Sequence, residues 1–203
     1  MNILHVDSSI LGPHSVSRTL TADIVRQQTA LHPGATLVYR DLAADAPLHL
    51  SGAHIAAWQG TTPDNPAVAS DVATGSAYLD ELFAADIIVI GAPMYNFAVP
   101  SQLKAWIDRL LIAGKSFRYG AAGPEGLLPK GKKVFIASSR GGSYGPATPA
   151  AFLDHQETYL RGALGFIGLT DVTIIRAEGV AMGPEAREAA VAGAKTAISA
   201  LAA

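Results

Sequence analysis

The chain contains no cysteine. Disulfides, thiolate metal centres, iron–sulfur clusters and a cysteine nucleophile are excluded from the outset. No apolar run approaches the roughly 20 residues that a membrane-spanning helix needs. The opening stretch Met1-Asn2-Ile3-Leu4-His5 lacks a basic segment followed by an apolar one, so no export signal is expected and a cytoplasmic protein is. Charge is also scarce. Charged residues are 16% of the chain and the net charge is −2, without the basic patches that nucleic acid or an anionic membrane requires. Sparse surface charge also weakens repulsion between copies, which favours self-association. Two phosphate-binding signatures are missing as well. No Gly-x-Gly-x-x-Gly follows the first apolar run, and no Gly-x-x-x-x-Gly-Lys-Ser/Thr occurs anywhere. The six histidines do not form a His-x-x-x-His pair, and His49 and His54 stand five apart in an irregular stretch, so no metal site is expected.

What is present is an alternation of short apolar runs with segments of helical spacing. Residues 2–7, 35–41, 86–91, 132–139 and 171–177 read as strands. The run Asp86-Ile87-Ile88-Val89-Ile90-Gly91 is β-branched without alternation, as expected for a strand buried on both faces of a parallel sheet. Between the strands, residues 16–31, about 66–84, 101–113, 148–164 and 184–202 carry helical periodicity. Ser15 suits the cap of the first helix, and Asn65-Pro66 the start of the second. Residues 42–66 are irregular, with a short helix near His54–Trp58, and the Gly- and Pro-rich residues 114–130 form an excursion that can hold a hairpin. The expected fold is one α/β domain over residues 1–203, a three-layer sandwich with a five-stranded parallel sheet and helices on both faces.

In such sheets ligands gather at the carboxyl ends of the strands. Three loops there carry unusual residues. The first, Asp7 to Arg18, gathers the hydroxyls of Ser9, Ser15 and Ser17 where a helix begins, and a helix N-terminus binds phosphate. The second is Gly91-Ala92-Pro93-Met94-Tyr95-Asn96-Phe97-Ala98-Val99-Pro100, apolar and aromatic between two prolines, which suits a flat ligand. The third, Ser138-Ser139-Arg140-Gly141-Gly142-Ser143-Tyr144-Gly145-Pro146, has adjacent glycines that let the backbone approach a ligand closely. Asp7, at the end of the first strand, is a conceivable acid but more simply caps the loop; it stands without the acidic neighbours that a magnesium-binding receiver domain needs. His14 lies beside the first loop.

These loops, in this order, resemble the FMN-dependent NADH-azoreductases, a branch of the flavodoxin-like quinone reductases. The likeness runs through Ala92 to Phe97, Gln102-Leu103-Lys104, Phe117-Arg118-Tyr119, Gly123 to Leu127, Ser139 to Gly142, Leu164 to Gly168 and Ala177-Glu178-Gly179. The resemblance implies a flavodoxin-like homodimer with FMN as cofactor. It implies that the phosphate meets Ser9, Ser15, Val16 and Ser17, and that the flavin ring meets Met94, Tyr95, Asn96 and Phe97 on one side and Ser139, Arg140, Gly141 and Gly142 on the other. Phe117 and Tyr119 become candidate pocket walls. Arg140 is expected near the flavin, with a surface carboxylate as its alternative partner. The implied activity is hydride transfer from NADH or NADPH through the flavin to quinones and azo compounds by a ping-pong scheme, azo bonds being cleaved to amines. No side-chain acid–base pair is implied, since the chemistry resides on FMN. The alternative is a flavodoxin-like electron carrier that does not oxidise NADH itself.

Overall fold

The computed structural model describes residues 1–202. The principal sheet contains β1 (Asn2–Asp7), β2 (Thr36–Asp41), β3 (Ile87–Pro93), β6 (Lys133–Ser139) and β7 (Asp171–Ala177), all parallel, in the order β2-β1-β3-β6-β7. The chain runs outward from β1 to β2, then crosses back to place β3 on the other side of β1. The sheet therefore changes winding direction between β1 and β3, and the loops leaving those strands diverge there. The expected sandwich and its five strands are present.

The two faces of the sheet divide the apolar residues of each strand by parity. Ile87 and Val89 of β3 join a core with Leu20 and Ile24 of α1 (Val16–Leu31) and with Ala194 and Ile198 of α6 (Pro184–Ser199). Ile88, Ile90 and Ala92 face the opposite core. There they meet Leu79 and Leu82 of α3 (Pro66–Ala84), Trp106 and Leu110 of α4 (Ser101–Leu110), and Leu160 and Leu164 of α5 (Glu157–Phe166). Every residue of β3 is buried, which is why its sequence is apolar without alternation.

Helix starts follow local chemistry. Ser15 Oγ accepts from the Arg18 amide at 3.2 Å, and Asn65 Oδ1 from the Ala67 amide at 2.9 Å. Lys132 closes the far end of α3 by donating its ammonium to the carbonyls of Phe83 and Ala85, while burial pulls its pKa down. The short helix in the irregular stretch is α2 (Gly52–Trp58).

Three helix boundaries differ from expectation. The helix expected over 148–164 divides into a single 3-10 turn at Ala151–Leu153 and α5, which begins only at Glu157. Asp154 makes the break: its Oδ1 accepts from the amides of Gln156 (3.1 Å) and Glu157 (3.0 Å), resetting the chain into a new helix start. The helix expected to reach residue 113 ends at Leu110, because Ser116 Oγ takes the Ile112 amide at 3.1 Å and donates to the Leu110 carbonyl. The last helix ends at Ser199.

Residues 114–130 hold an antiparallel hairpin, β4 (Phe117–Gly120) with β5 (Gly123–Gly126). It is docked onto the end of α5. A Cβ at Gly126 would lie 2.2 Å from the backbone carbon of Ile167, so only glycine permits this approach. Gly126→Ala is expected to lower stability by about 1–3 kcal/mol through overpacking. A denaturant midpoint unchanged from wild type would show that the hairpin does not dock as described.

Candidate functional site

The loops after β1, β3, β6 and β7 enclose a cavity of about 250 Å³ at the carboxyl edge of the sheet. Its base is the start of α1, with Ser15 and Val16. Pro93, Met94 and Tyr95 form one side, Ser139 and Gly141 another, and Val180 and Ala181 close it from the loop after β7. No carboxylate lines it.

The first loop is held from below. Ser8 Oγ donates to the Gly91 carbonyl at 2.6 Å, tying the ends of β1 and β3 together. Ser9 Oγ lies 3.1 Å from the Tyr95 hydroxyl and accepts from the Leu11 amide at 3.3 Å. Ser15 and Ser17 are buried, with their hydroxyls 3.1 Å apart. Ser15 Oγ satisfies the Arg18 amide, whereas the amides of Val16 and Ser17 have no protein acceptor among the described residues. A helix start carrying free N–H groups and hydroxyls, at a cavity that no carboxylate lines, is suited to an anion. Val16 contributes only its amide, since its side chain is apolar and buried.

Under this loop a polar network replaces what would otherwise be core. Asp7 is buried and accepts from Thr21 Oγ1 (2.8 Å) and the Tyr39 hydroxyl (3.2 Å), so it serves as an anchor for the loop. A Cβ at Gly91 would lie 2.6 Å from Asp7 Oδ1, so the glycine leaves room for the carboxylate. Arg18 turns away from the cavity: it binds Asp41 through two nitrogens (2.6 and 2.8 Å) and the Ser9 carbonyl at 2.8 Å. The hydrogen bond to Asp41 raises the guanidinium pKa and holds the Asp41 carboxyl below its ordinary range. Burial, reinforced by the charges of Asp7 and Asp41, pushes the Tyr39 phenol up to about 12.

The second loop is a two-residue turn closed by reciprocal hydrogen bonds between Tyr95 and Ala98 (3.0 and 3.1 Å). Its central residues, Asn96 and Phe97, both have positive φ, 47° and 72°. Non-glycine residues pay about 1 kcal/mol or more for that conformation, and such strain collects at functional sites. Contacts on three sides hold the turn. The Met94 amide donates to the Ser139 carbonyl (2.8 Å), Tyr95 meets Ser9, and the His155 amide donates to the Phe97 carbonyl (3.1 Å). Phe97 stays exposed, edge-on to Tyr144 with ring centres 6.0 Å apart.

In the third loop, the carbonyls of Arg140, Gly141 and Gly142 accept from Val180, Ala181 and Gly179 (3.0–3.1 Å), while the amides of Gly141 and Gly142 have no protein acceptor among the described residues. The Arg140 side chain does not join the cavity. It is fully buried and pairs with Asp154 (2.9 Å), Glu157 (2.6 Å) and Glu178 (3.2 Å), with Nε on Gln156 Oε1 (3.0 Å). The expectation of a guanidinium beside the flavin is therefore corrected: a buried cation needs opposing charge, and three carboxylates supply it. Phe117 also needs correction. It is buried in the core, 4.7 Å ring to ring from Phe166, whereas Tyr119 on the hairpin is exposed.

Beyond Tyr95 lies a larger cleft of about 910 Å³, formed by Ile10, the second loop, the start of α4, His155 and Tyr159. Burial, with a lesser push from Asp108, raises the Tyr159 phenol far above its usual range. Several site residues escape the sequence reading. Val180, Ala181 and Arg187 follow the last strand, where no motif marks them. Arg187 reaches the cavity from α6, more than 170 residues along the chain from the first loop.

The family model for the flavodoxin-like fold matches residues 1–202. An FMN-dependent NADH:quinone oxidoreductase of Sinorhizobium fredii is 58% identical over 199 residues, covering 98% of this chain and 96% of that protein. A protein of the same name in Methylorubrum extorquens is 58% identical over 201 residues, covering 99% and 98%. Among solved structures, an FMN-dependent NADH-azoreductase of Bacillus anthracis in complex with FMN superposes with a TM-score of 0.85 at 25% identity, over the whole of both chains.

Two expected outcomes follow from the ion pairs. Arg140→Ala leaves Asp154 and Glu178 without their cation and is expected to cost about 3–5 kcal/mol; a loss below about 1 kcal/mol in chemical denaturation would contradict the hub. For Asp41 the folded carboxyl has the lower pKa. Its pairing with Arg18 therefore stabilises the fold above the unfolded value, near pH 4, and is lost as pH falls through the folded value. Asp41→Asn should lower stability at neutral pH and flatten its decline below about pH 4; acid-unfolding curves that stay parallel to wild type would refute the pairing.

Proposed function

Since the chain belongs to the flavodoxin-like family of FMN-dependent NADH:quinone oxidoreductases, we propose that it carries reducing equivalents from NADH to quinones and azo compounds in two half-reactions sharing one pocket. When bound, FMN supplies the two-electron redox chemistry, and the protein supplies position and electrostatics. One observation carries the assignment of the site: free backbone amides stand at both ends of a cavity without carboxylates, at the switch point between β1 and β3.

The residues present fit the cofactor. The amides of Val16 and Ser17, with the hydroxyls of Ser9, Ser15 and Ser17, would hold the phosphate. Met94 and Tyr95, which line the same cavity, would contact the cofactor beside its phosphate. The strained Asn96–Phe97 turn presents an amide side chain and an aromatic ring to the flavin. The amides of Gly141 and Gly142, which have no protein acceptor among the described residues, would be the donors available to a ring that gains negative charge on reduction. Ser139 holds Met94 and Arg140 holds the third loop, so both position the site without carrying the reaction. Protons come from solvent, since no side-chain acid lines the cavity beyond Tyr95 and His14.

A cavity of about 250 Å³ is smaller than the roughly 300–1,000 Å³ of small-molecule sites, so it would hold only part of the cofactor. The adjoining 910 Å³ cleft is where nicotinamide and acceptor take turns, bounded by Tyr95, Asn96 and Tyr159. A cleft this open, in a chain with little charge, supports a homodimer in which the second copy covers it, with Tyr119 of the hairpin among the residues exposed for that contact.

The test is spectroscopic. Purified protein should show flavin bands that bleach when NADH is added without oxygen and return when a quinone or azo dye follows. Initial rates at varied NADH and acceptor should give parallel double-reciprocal lines. Bands that persist with both NADH and NADPH would make the protein an electron carrier instead. Intersecting lines would overturn the shared pocket.

A further inference from the structure

The phosphate end of the cavity lacks an obvious cation. Arg18 begins beside the site but is consumed by Asp41, the Ser9 carbonyl and Tyr39. Arg140 is consumed by three carboxylates. Val16 brings no side-chain donor. A phosphate monoester carries about −1.5 to −2 charges at neutral pH, which hydroxyls and amides solvate but do not neutralise.

One guanidinium lining the cavity remains free. Arg187 closes the first turn of α6, its amide bonded to the Gly183 carbonyl at 3.0 Å. Its side chain crosses to the first loop, where Nη2 donates to the His14 carbonyl at 3.2 Å. Among the described residues no carboxylate pairs with it. It is exposed, so it is reachable by a ligand, and it lines the same cavity as Ser9, Ser15 and Val16. A carbonyl satisfies one of its five N–H groups and none of its charge.

We propose that Arg187 is a binding residue for the terminal phosphate of the cofactor, delivered from the last helix to the first loop. It acts in two ways at once. The charge attracts the phosphate that the helix start and hydroxyls orient, and the bond to the His14 carbonyl ties α6 to the first loop. The inference rests on the cofactor reading above, and it assigns affinity for the phosphate specifically, as opposed to the ring.

The experiment compares a flavin with and without that phosphate. Protein loaded with FMN or with riboflavin is diluted, and released flavin is read by its fluorescence, for wild type, Arg187→Ala, Arg187→Lys and Arg187→Glu. Because a partly exposed charge-assisted contact is at issue, Arg187→Ala is expected to release FMN about tenfold more readily. Arg187→Glu should release it more readily still, and Arg187→Lys should stay nearer wild type. Riboflavin retention should be the same in all four proteins within about twofold. Raising salt should weaken FMN binding less in Arg187→Ala than in wild type, since the screened charge is gone.

Equal loss of FMN and riboflavin would mean that Arg187 only supports the loop, and would overturn the proposal. FMN retention unchanged in Arg187→Ala and Arg187→Glu would overturn it too. A wild-type protein that holds riboflavin as well as FMN would remove the phosphate from the binding energy and defeat the inference while leaving a flavin site. A wild-type protein that holds neither would defeat the cofactor reading itself.

Discussion

The structure depends on one constraint: β3 is buried on both of its faces. A strand with helices above and below belongs in a parallel sheet, and parallel neighbours must be joined by crossovers. Every crossover returns the chain to the same edge. The loops after β1, β3, β6 and β7 are therefore gathered at one end of the sandwich, although residues from 8 to 187 contribute to them. The site is where the apolar sheet stops and the backbone polar groups of four loops must find partners.

How those partners are distributed distinguishes scaffold from site. Carbonyls of the third loop are taken by the loop after β7, while the Gly141 and Gly142 amides are left. At the start of α1 the Arg18 amide is capped by Ser15, while those of Val16 and Ser17 are left. Donors remain at both ends of a cavity that holds no carboxylate, an arrangement costly for an empty protein and suited to an anion with a reducible ring.

The arginines follow the same logic. Arg18 and Arg140 are near the cavity in sequence but are locked into carboxylates, where they hold the first and third loops in place. Removing either unbalances buried charge, so both matter to the site through its shape. Arg187 is distant in sequence, exposed and without a carboxylate among the described residues, so its charge at the cavity wall is not neutralised by the protein.

The chain's own periodicity determined most of the fold. The unalternating run Ile87 to Ile90 required two-sided burial, and Ser15 and Asn65-Pro66 placed helix starts correctly, because such signals act over a few residues. The motifs Met94 to Phe97 and Ser139 to Gly142 are also legible as sequence, and the structure gathers Met94, Tyr95, Ser139 and Gly141 around one cavity. Only the tertiary structure decided the division of labour within them. That Arg140 faces three carboxylates, that Phe117 enters the core, and that Arg187 reaches the first loop all depend on which residues meet across more than ten positions of the chain. Local spacing carries no information about such meetings, since burial and charge pairing are settled by the packed whole.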